Sequence, residues 1–283
     1  MGAGSGSDYG TIGMTKKKIN WLHEVWQLLL LGLAVLGFHS AIAKPFYIPS
    51  ESMLPTLLVG DRLVVTKYPY GYSYLSPSLP VLPKMKGRLF GQLPERGDIV
   101  VVKSPIEHVD YIKRVIGLPG DTVQVKNGAL YINGKAVARH AVPPVDIVES
   151  PNTNCDRFPQ FQTVRADGAE VCRYPRYRET LPNGVSYDTI DAEPNSFTDN
   201  TELFRVPEGH IFLMGDNRDN SADSRVPPEM GGLGVLPIEN LSGRAEFITF
   251  SLDGSFNLLD PRTWASAFRG ERAFESLHPS RNG

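Results

Sequence analysis

One apolar run dominates the pattern of hydrophobic and polar positions. From Val25 to Ala43 only Gln27, His39 and Ser40 interrupt it. As an α-helix this stretch would span roughly 28 Å, close to the hydrocarbon thickness of a bilayer. With Trp21 and Trp26 at interfacial level, the pattern predicts a transmembrane anchor over residues 21–43. Lys16, Lys17 and Lys18 precede the run, and only Lys44 follows it closely. That asymmetry puts a tail, residues 1–20, in the cytoplasm and the rest of the chain on the exported side. A cleavable secretory leader competes, because a basic start, an apolar core and Ala41-Ile42-Ala43 make an A-x-A pattern. The run is long for a leader core, and Lys44-Pro45 is a poor junction, so the retained anchor is favoured. His39, near the outer end, reads as a tolerated polar residue.

Beyond the anchor the helical period is gone and alternation takes over. Strands are predicted over Asp61 to Lys67, Ile99 to Lys103, Tyr111 to Ile116, Val123 to Val125, Ala129 to Ile132, Ile211 to Met214 and Leu241 to Phe250. Asn127-Gly128 is a hairpin signal between two of them. Tyr68 to Glu95 has no period and reads as an irregular excursion, either packed on its own sheet or touching a membrane surface. From about Ala138 to Val206 the chain turns polar and rich in Pro and Asn, with strand-like pieces around Asn183-Gly184. The fold class expected is mainly β. An antiparallel core over 44–137 and 207–253 would carry an inserted smaller β domain or long loop, 138–206. A tail, 254–283, would follow, with an amphipathic stretch from Trp264 to Leu277 suited to a membrane surface.

Composition agrees with this picture and removes some alternatives. The 27 glycines and 23 prolines suit a turn-rich β protein rather than a helical bundle. A net charge of -2, with no strongly basic segment, argues against nucleic acid as a partner. Cys155 and Cys172 lack metal-ligand spacing, so no metal or cofactor is expected. On the exported side they can pair as a disulfide, worth roughly 3 kcal/mol by loop entropy. Two unpaired thiols are the other reading.

Candidate chemistry starts at Tyr47-Ile48-Pro49-Ser50-Glu51-Ser52-Met53-Leu54-Pro55-Thr56-Leu57. Two serines between prolines belong to an ordered turn, and either a helix cap or an exposed nucleophile fits. A serine nucleophile needs a base. Among the histidines, His23 and His39 are in or beside the anchor, and His140, His210 and His278 show no acidic partner at a telling spacing. A Ser52-His108-Asp110 triad stays open. Lysine can serve if burial lowers its pKa. Lys113 is the best candidate, because alternation puts Tyr111, Lys113 and Val115 on one strand face and Ile112, Arg114 and Ile116 on the other. A surface lysine on a half-exposed strand is the plain alternative.

Four blocks in order resemble the bacterial type I signal peptidases, or leader peptidases. They are Pro49-Ser50-Glu51-Ser52-Met53-Leu54-Pro55-Thr56, Arg96-Gly97-Asp98-Ile99-Val100, Tyr111-Ile112-Lys113-Arg114-Val115-Ile116-Gly117-Leu118-Pro119-Gly120-Asp121, and Gly215-Asp216-Asn217-Arg218-Asp219-Asn220-Ser221-Ala222-Asp223-Ser224-Arg225. The anchor lies where that family has one. The resemblance implies a Ser-Lys dyad, with Ser52 as nucleophile and Lys113 as general base. It implies Ser50 as oxyanion partner, Ser221 as the serine that orients the lysine, Asp223 and Arg225 as a supporting ion pair, and Tyr111 beside the lysine. It also implies preprotein substrates with small residues before the cut (Ala-x-Ala), membrane lipid and the export translocon as surroundings, and a single-pass place in the bacterial inner membrane with the catalytic domain periplasmic. Two departures stand out. Glu51 replaces the glycine frequent between the serines, and Val226 to Gly234 replaces an aromatic pair and glycine after the arginine. A non-catalytic, membrane-tethered β module for peptide binding or scaffolding is the contrasting expectation.

Overall fold

The computed structural model describes residues 21–77, 83–107 and 109–280. The predicted cytoplasmic tail, residues 1–20, lies outside them. Trp21–Ala41 is a single α-helix of 21 residues, long and apolar enough to cross a membrane. It ends two residues short of the predicted anchor, because Ala43 already belongs to a strand.

From Phe38 to Gly283 the chain forms one compact unit built on antiparallel pairing. Its largest sheet has seven strands, in the spatial order Ala43–Tyr47, Asp61–Thr66, Leu241–Ser251, Ile99–Lys103, Asp110–Gly117, His210–Met214 and Leu236–Pro237. Strands from both ends of the sequence therefore interleave, and segment 138–206 leaves and returns between Asp110–Gly117 and its neighbour His210–Met214. Apolar side chains fill both faces. Ile48, Met53, Leu57, Leu63 and Ile112 belong to one cluster, and Val100, Val102, Val115 and Leu213 to another. A second sheet joins Thr122–Lys126, Ala129–Ile132, Lys135–Ala136 and Phe204–Arg205. A third is formed by Ala138–Val148, Glu170–Thr180 and Ser186–Ile190, with Gln162–Val164 paired to Glu170–Thr180.

Two features depart from expectation, and the disulfide reading of the cysteines is met. Ala138–Val148 is an eleven-residue strand although it contains Pro143 and Pro144. It lies at a sheet edge, and its register with Glu170–Thr180 shifts at the prolines, so no ladder N–H is demanded of them. Cys155 and Cys172 are bonded to each other, which ties the loop before Pro159 to Glu170–Thr180. The segment after Asp253 is no loose amphipathic tail. Among the described residues of this segment only Arg262–Ser266 is α-helical, and residues 267–277 bond along Leu241–Ser251 as a strap. Leu277 is buried with Ile48, Met53 and Leu57, and Arg272 makes a bidentate pair with Asp61 at 2.9 and 2.6 Å.

Candidate active site

Residues Ile48 to Gly60 form a tight, buried turn between the first two strands of the large sheet. Met53, Leu54 and Leu57 are fully buried. Backbone bonds run from Leu54 N to Glu51 O (3.0 Å) and from Leu57 N to Met53 O (2.9 Å). The apolar anchors fix the turn, with Ser50 at its surface and Ser52 buried beside it. Ser52 is 7% exposed, Ser50 is exposed, and their hydroxyl oxygens lie 3.4 Å apart.

Lys113 arrives from Asp110–Gly117, further along the same sheet. Its Nζ donates to Ser52 Oγ at 2.7 Å and to the Ile112 carbonyl at 2.9 Å. It is 2% exposed and, among the described residues, has no carboxylate in contact. Burial therefore pushes its ammonium down to about 8, against the opposing pull of Asp223 and Asp216. The alternation read from the sequence holds for the apolar positions Tyr111, Ile112 and Val115, since Tyr111 and Val115 share one cluster and Ile112 lies in another. Tyr111 sits beside the lysine, with Nζ 5.5 Å from its ring centroid, and its hydroxyl donates to Glu107 at 2.8 Å.

The loop Gly215 to Arg225 closes the back of the turn. Asn217 N–H donates to the Ser52 carbonyl at 3.1 Å. A Cβ on Gly215 would stand 2.2 Å from Ser221 Oγ and 2.4 Å from that same carbonyl, so only glycine allows the approach. Asp223 and Arg225 form a buried bidentate pair at 2.9 and 2.8 Å, and Asp223 also accepts Gly215 N–H at 3.0 Å. Burial alone would raise the Asp223 carboxyl, but Arg225 holds it below the usual range. Ser221 is in this loop, yet the hydrogen bonds of Lys113 go to Ser52 and Ile112 instead. Arg114, next to the lysine, is clasped by Asp216 at 2.8 and 2.6 Å.

Asp110 pairs with Lys103 at 3.0 Å, and His108 lies outside the described residues. His278, which lacked an acidic partner at any telling spacing, bonds Glu246 across the C-terminal strap. Three sets of contacts had no signal in the sequence. Glu51 is held by Asn220 Nδ2 at 3.1 Å, while Asn217 Nδ2 donates to the Glu51 carbonyl at 3.2 Å. Its carboxyl is raised by burial, with Arg157 working the other way. Glu179 reaches from the third sheet to Arg218 at 2.6 Å. Thr56 donates to Asp216 at 2.5 Å. All three contacts join residues far apart in sequence, and long-range pairs of that kind leave no local pattern.

In front of the pair lies a cavity of about 300 Å³ lined by Phe46, Ile48, Ser50, Val101, Ile112 and Lys113, among others. Beside it, Ile99–Lys103 pairs with residues 110–114, whereas His210–Met214 pairs only from Arg114 onward. One side of Asp110–Lys113 is thus left open among the described residues. A hydroxyl hydrogen-bonded to a buried amine of lowered basicity, at the floor of an apolar groove with an open strand edge, has the parts needed for acyl transfer.

A family model described as signal peptidase, peptidase S26, matches residues 19–250. A signal peptidase I of Rickettsia typhi is 39% identical over 254 residues, covering 84% of this chain and 86% of its own. The signal peptidase I of Rickettsia akari is 38% identical over 272 residues, covering 90% and 92%. A solved signal peptidase I from Enterococcus faecalis V583 is 26% identical and covers 54% of this chain and 97% of its own, with a TM-score of 0.28.

Proposed function

The chain belongs to the signal peptidase S26 family, and from that premise we propose that it cuts signal peptides from exported preproteins with a Ser52–Lys113 dyad. The observation that carries the reading is the 2.7 Å contact between Lys113 Nζ and Ser52 Oγ in a buried setting that lowers the lysine to about 8. Neutral Lys113 takes the Ser52 proton as the oxygen attacks the scissile carbonyl. The ammonium then donates that proton to the leaving amine, and the freed amine activates the deacylating water. Ser50 Oγ and the Ser52 backbone N–H face the developing oxyanion, an interaction typically worth about 3 kcal/mol. Ser221, Asp223, Arg225 and Tyr111 act as positioning residues. Asp223 and Arg225 fix the Gly215–Arg225 loop, and Tyr111 shields the lysine from water.

Substrate selection follows from the groove. The preprotein lies extended along the open edge of Asp110–Lys113, where main-chain bonds hold it and alternate side chains enter the wall. A cavity of about 300 Å³ shared among several subsites favours small residues near the cut. This supports Ala-x-Ala selectivity. The helix Trp21–Ala41 serves as the single anchor, with the N-terminus cytoplasmic and the body on the exported side of the inner membrane, beside lipid and the export translocon. The disulfide supports that side, because such bonds persist where the surroundings oxidise.

The direct test is cleavage of an Ala-x-Ala preprotein in detergent by the wild type, Ser52→Ala and Lys113→Ala. Both variants should lose cleavage while keeping the wild-type circular dichroism. Substantial turnover by Lys113→Ala would overturn the dyad. His108→Ala should cleave normally, and its inactivity would restore the triad.

A further inference from the structure

The Gly215–Arg225 loop carries a group that the serine and lysine do not use. Asp219 is 9% exposed. Its Oδ2 accepts the N–H groups of Ala192 (2.6 Å) and Glu193 (2.9 Å). Its Oδ1 is buried and has no hydrogen-bond partner among the described residues. Leaving a buried carboxylate oxygen without a donor is costly. Two more carboxylates converge on it. Asp191 follows the strand Ser186–Ile190, and Asp199, 4% exposed, lies in the next loop. One carboxylate oxygen from each of the three lies within 4.8 Å of the others.

Backbone borders this meeting point on one side. The Asn127-Gly128 hairpin tip covers it, with Gly128 N–H donating to the Asp199 carbonyl at 3.1 Å. A Cβ at Gly128 would stand 3.1 Å from Asp191 Oδ2 and 3.7 Å from Asp199 Oδ1, so the hairpin presents only backbone to the carboxylates. One positive group is already present, since Arg139 pairs with Asp191. Three carboxylates against one guanidinium leave two negative charges uncompensated.

We propose that Asp191, Asp199 and Asp219 form a binding site for a hard divalent cation, and that Ca²⁺ is the ion it takes. Ca²⁺ binds carboxylate oxygens at about 2.4 Å, and two such oxygens on one ion are at most about 4.8 Å apart. The three aspartates meet that limit, and the ion's charge matches the deficit. The cluster offers no thiolate or imidazole among the described residues, which sets aside zinc and copper. Water and loop carbonyls complete the usual six to eight ligands. Arg139 competes for Asp191, so the affinity belongs in the range of about 10⁻⁴ to 10⁻³ M typical of exported modules. The ion is structural. It joins the end of the third sheet and the Asp199 loop to the same loop whose Asn217 holds Ser52.

The test uses the full chain in detergent micelles, stripped with chelator and titrated with Ca²⁺ by calorimetry, with Mg²⁺ and Na⁺ at matched ionic strength alongside. One saturable Ca²⁺ site and a melting temperature several degrees higher with Ca²⁺ are expected. Asp219→Asn and Asp191→Asn should each weaken binding by at least about tenfold. If Asp219→Asn fails to fold, Asp191→Asn decides, because its carboxylate accepts no backbone N–H among the described residues. The proposal is overturned by no saturable uptake up to 10 times about 10⁻³ M, by unchanged affinity in Asp191→Asn, or by an equal thermal response to Na⁺. Tighter binding of Mg²⁺ than of Ca²⁺ would overturn the choice of ion.

Discussion

Lys113 and Arg114 are neighbours on one strand and both are buried, yet their surroundings treat them in opposite ways. Arg114 meets Asp216 through two short bonds, and its guanidinium is raised despite burial. Among the described residues Lys113 hydrogen-bonds a hydroxyl and a carbonyl, and burial lowers it to about 8. Burial alone therefore does not decide whether a cation stays charged. The presence of a contacting carboxylate does, and the two faces of one strand supply one case each. The paired cation holds the scaffold, and the unpaired one is free to exchange a proton.

That contrast can be broken by exchanging its terms. The largest effect is expected for Lys113→Arg, which keeps a cation but cannot shed its proton. Cleavage should fall by about 10³-fold or more, as for loss of any dyad member, and activity near the wild type would remove proton transfer from the account. Next, Asp216→Ala strands Arg114 in the core. A loss of about 3–5 kcal/mol in denaturant unfolding is expected, the usual result of breaking a buried pair. A smaller effect appears in the pH profile. Only neutral Lys113 can act, so cleavage should drop about tenfold per pH unit below about 8 and level off above it. A profile flat down to pH 5 would contradict a lysine base. Asp223→Asn removes a carboxylate that keeps the lysine charged, so the acidic limb should move to lower pH by about one unit or less. The smallest change is expected for Glu51→Gln, with stability lowered by no more than about 1 kcal/mol and the acidic limb unmoved.

Part of this architecture is legible in the amino-acid sequence. Period-two alternation locates most strands of the large sheet and assigns the face of Lys113, because half-buried strands write their packing directly into sequence. The blocks around Ser52, Lys113 and Asp223 are legible through family resemblance, and no spacing rule would join them. Other features are hidden for physical reasons. Ala138–Val148 carries two prolines that normally mark loops, and only its place at a sheet edge makes them tolerable. The packing of Leu277 against Met53 joins the two ends of the body, and such a contact has no local period. Glu51 has no rationale in its own stretch of chain, and its partners Asn217 and Asn220 come from a distant loop.

The C-terminal strap has a consequence for timing. Arg272 bonds the Thr56 carbonyl at 3.0 Å as well as Asp61, and Leu277 fills the core beneath Met53. A chain that emerges N-terminus first exposes Ser52 more than two hundred residues before these partners exist. The turn that carries Ser52 is thus clamped among the last events of synthesis. Until then the turn lacks the Arg272 and Leu277 contacts that hold it in the finished fold.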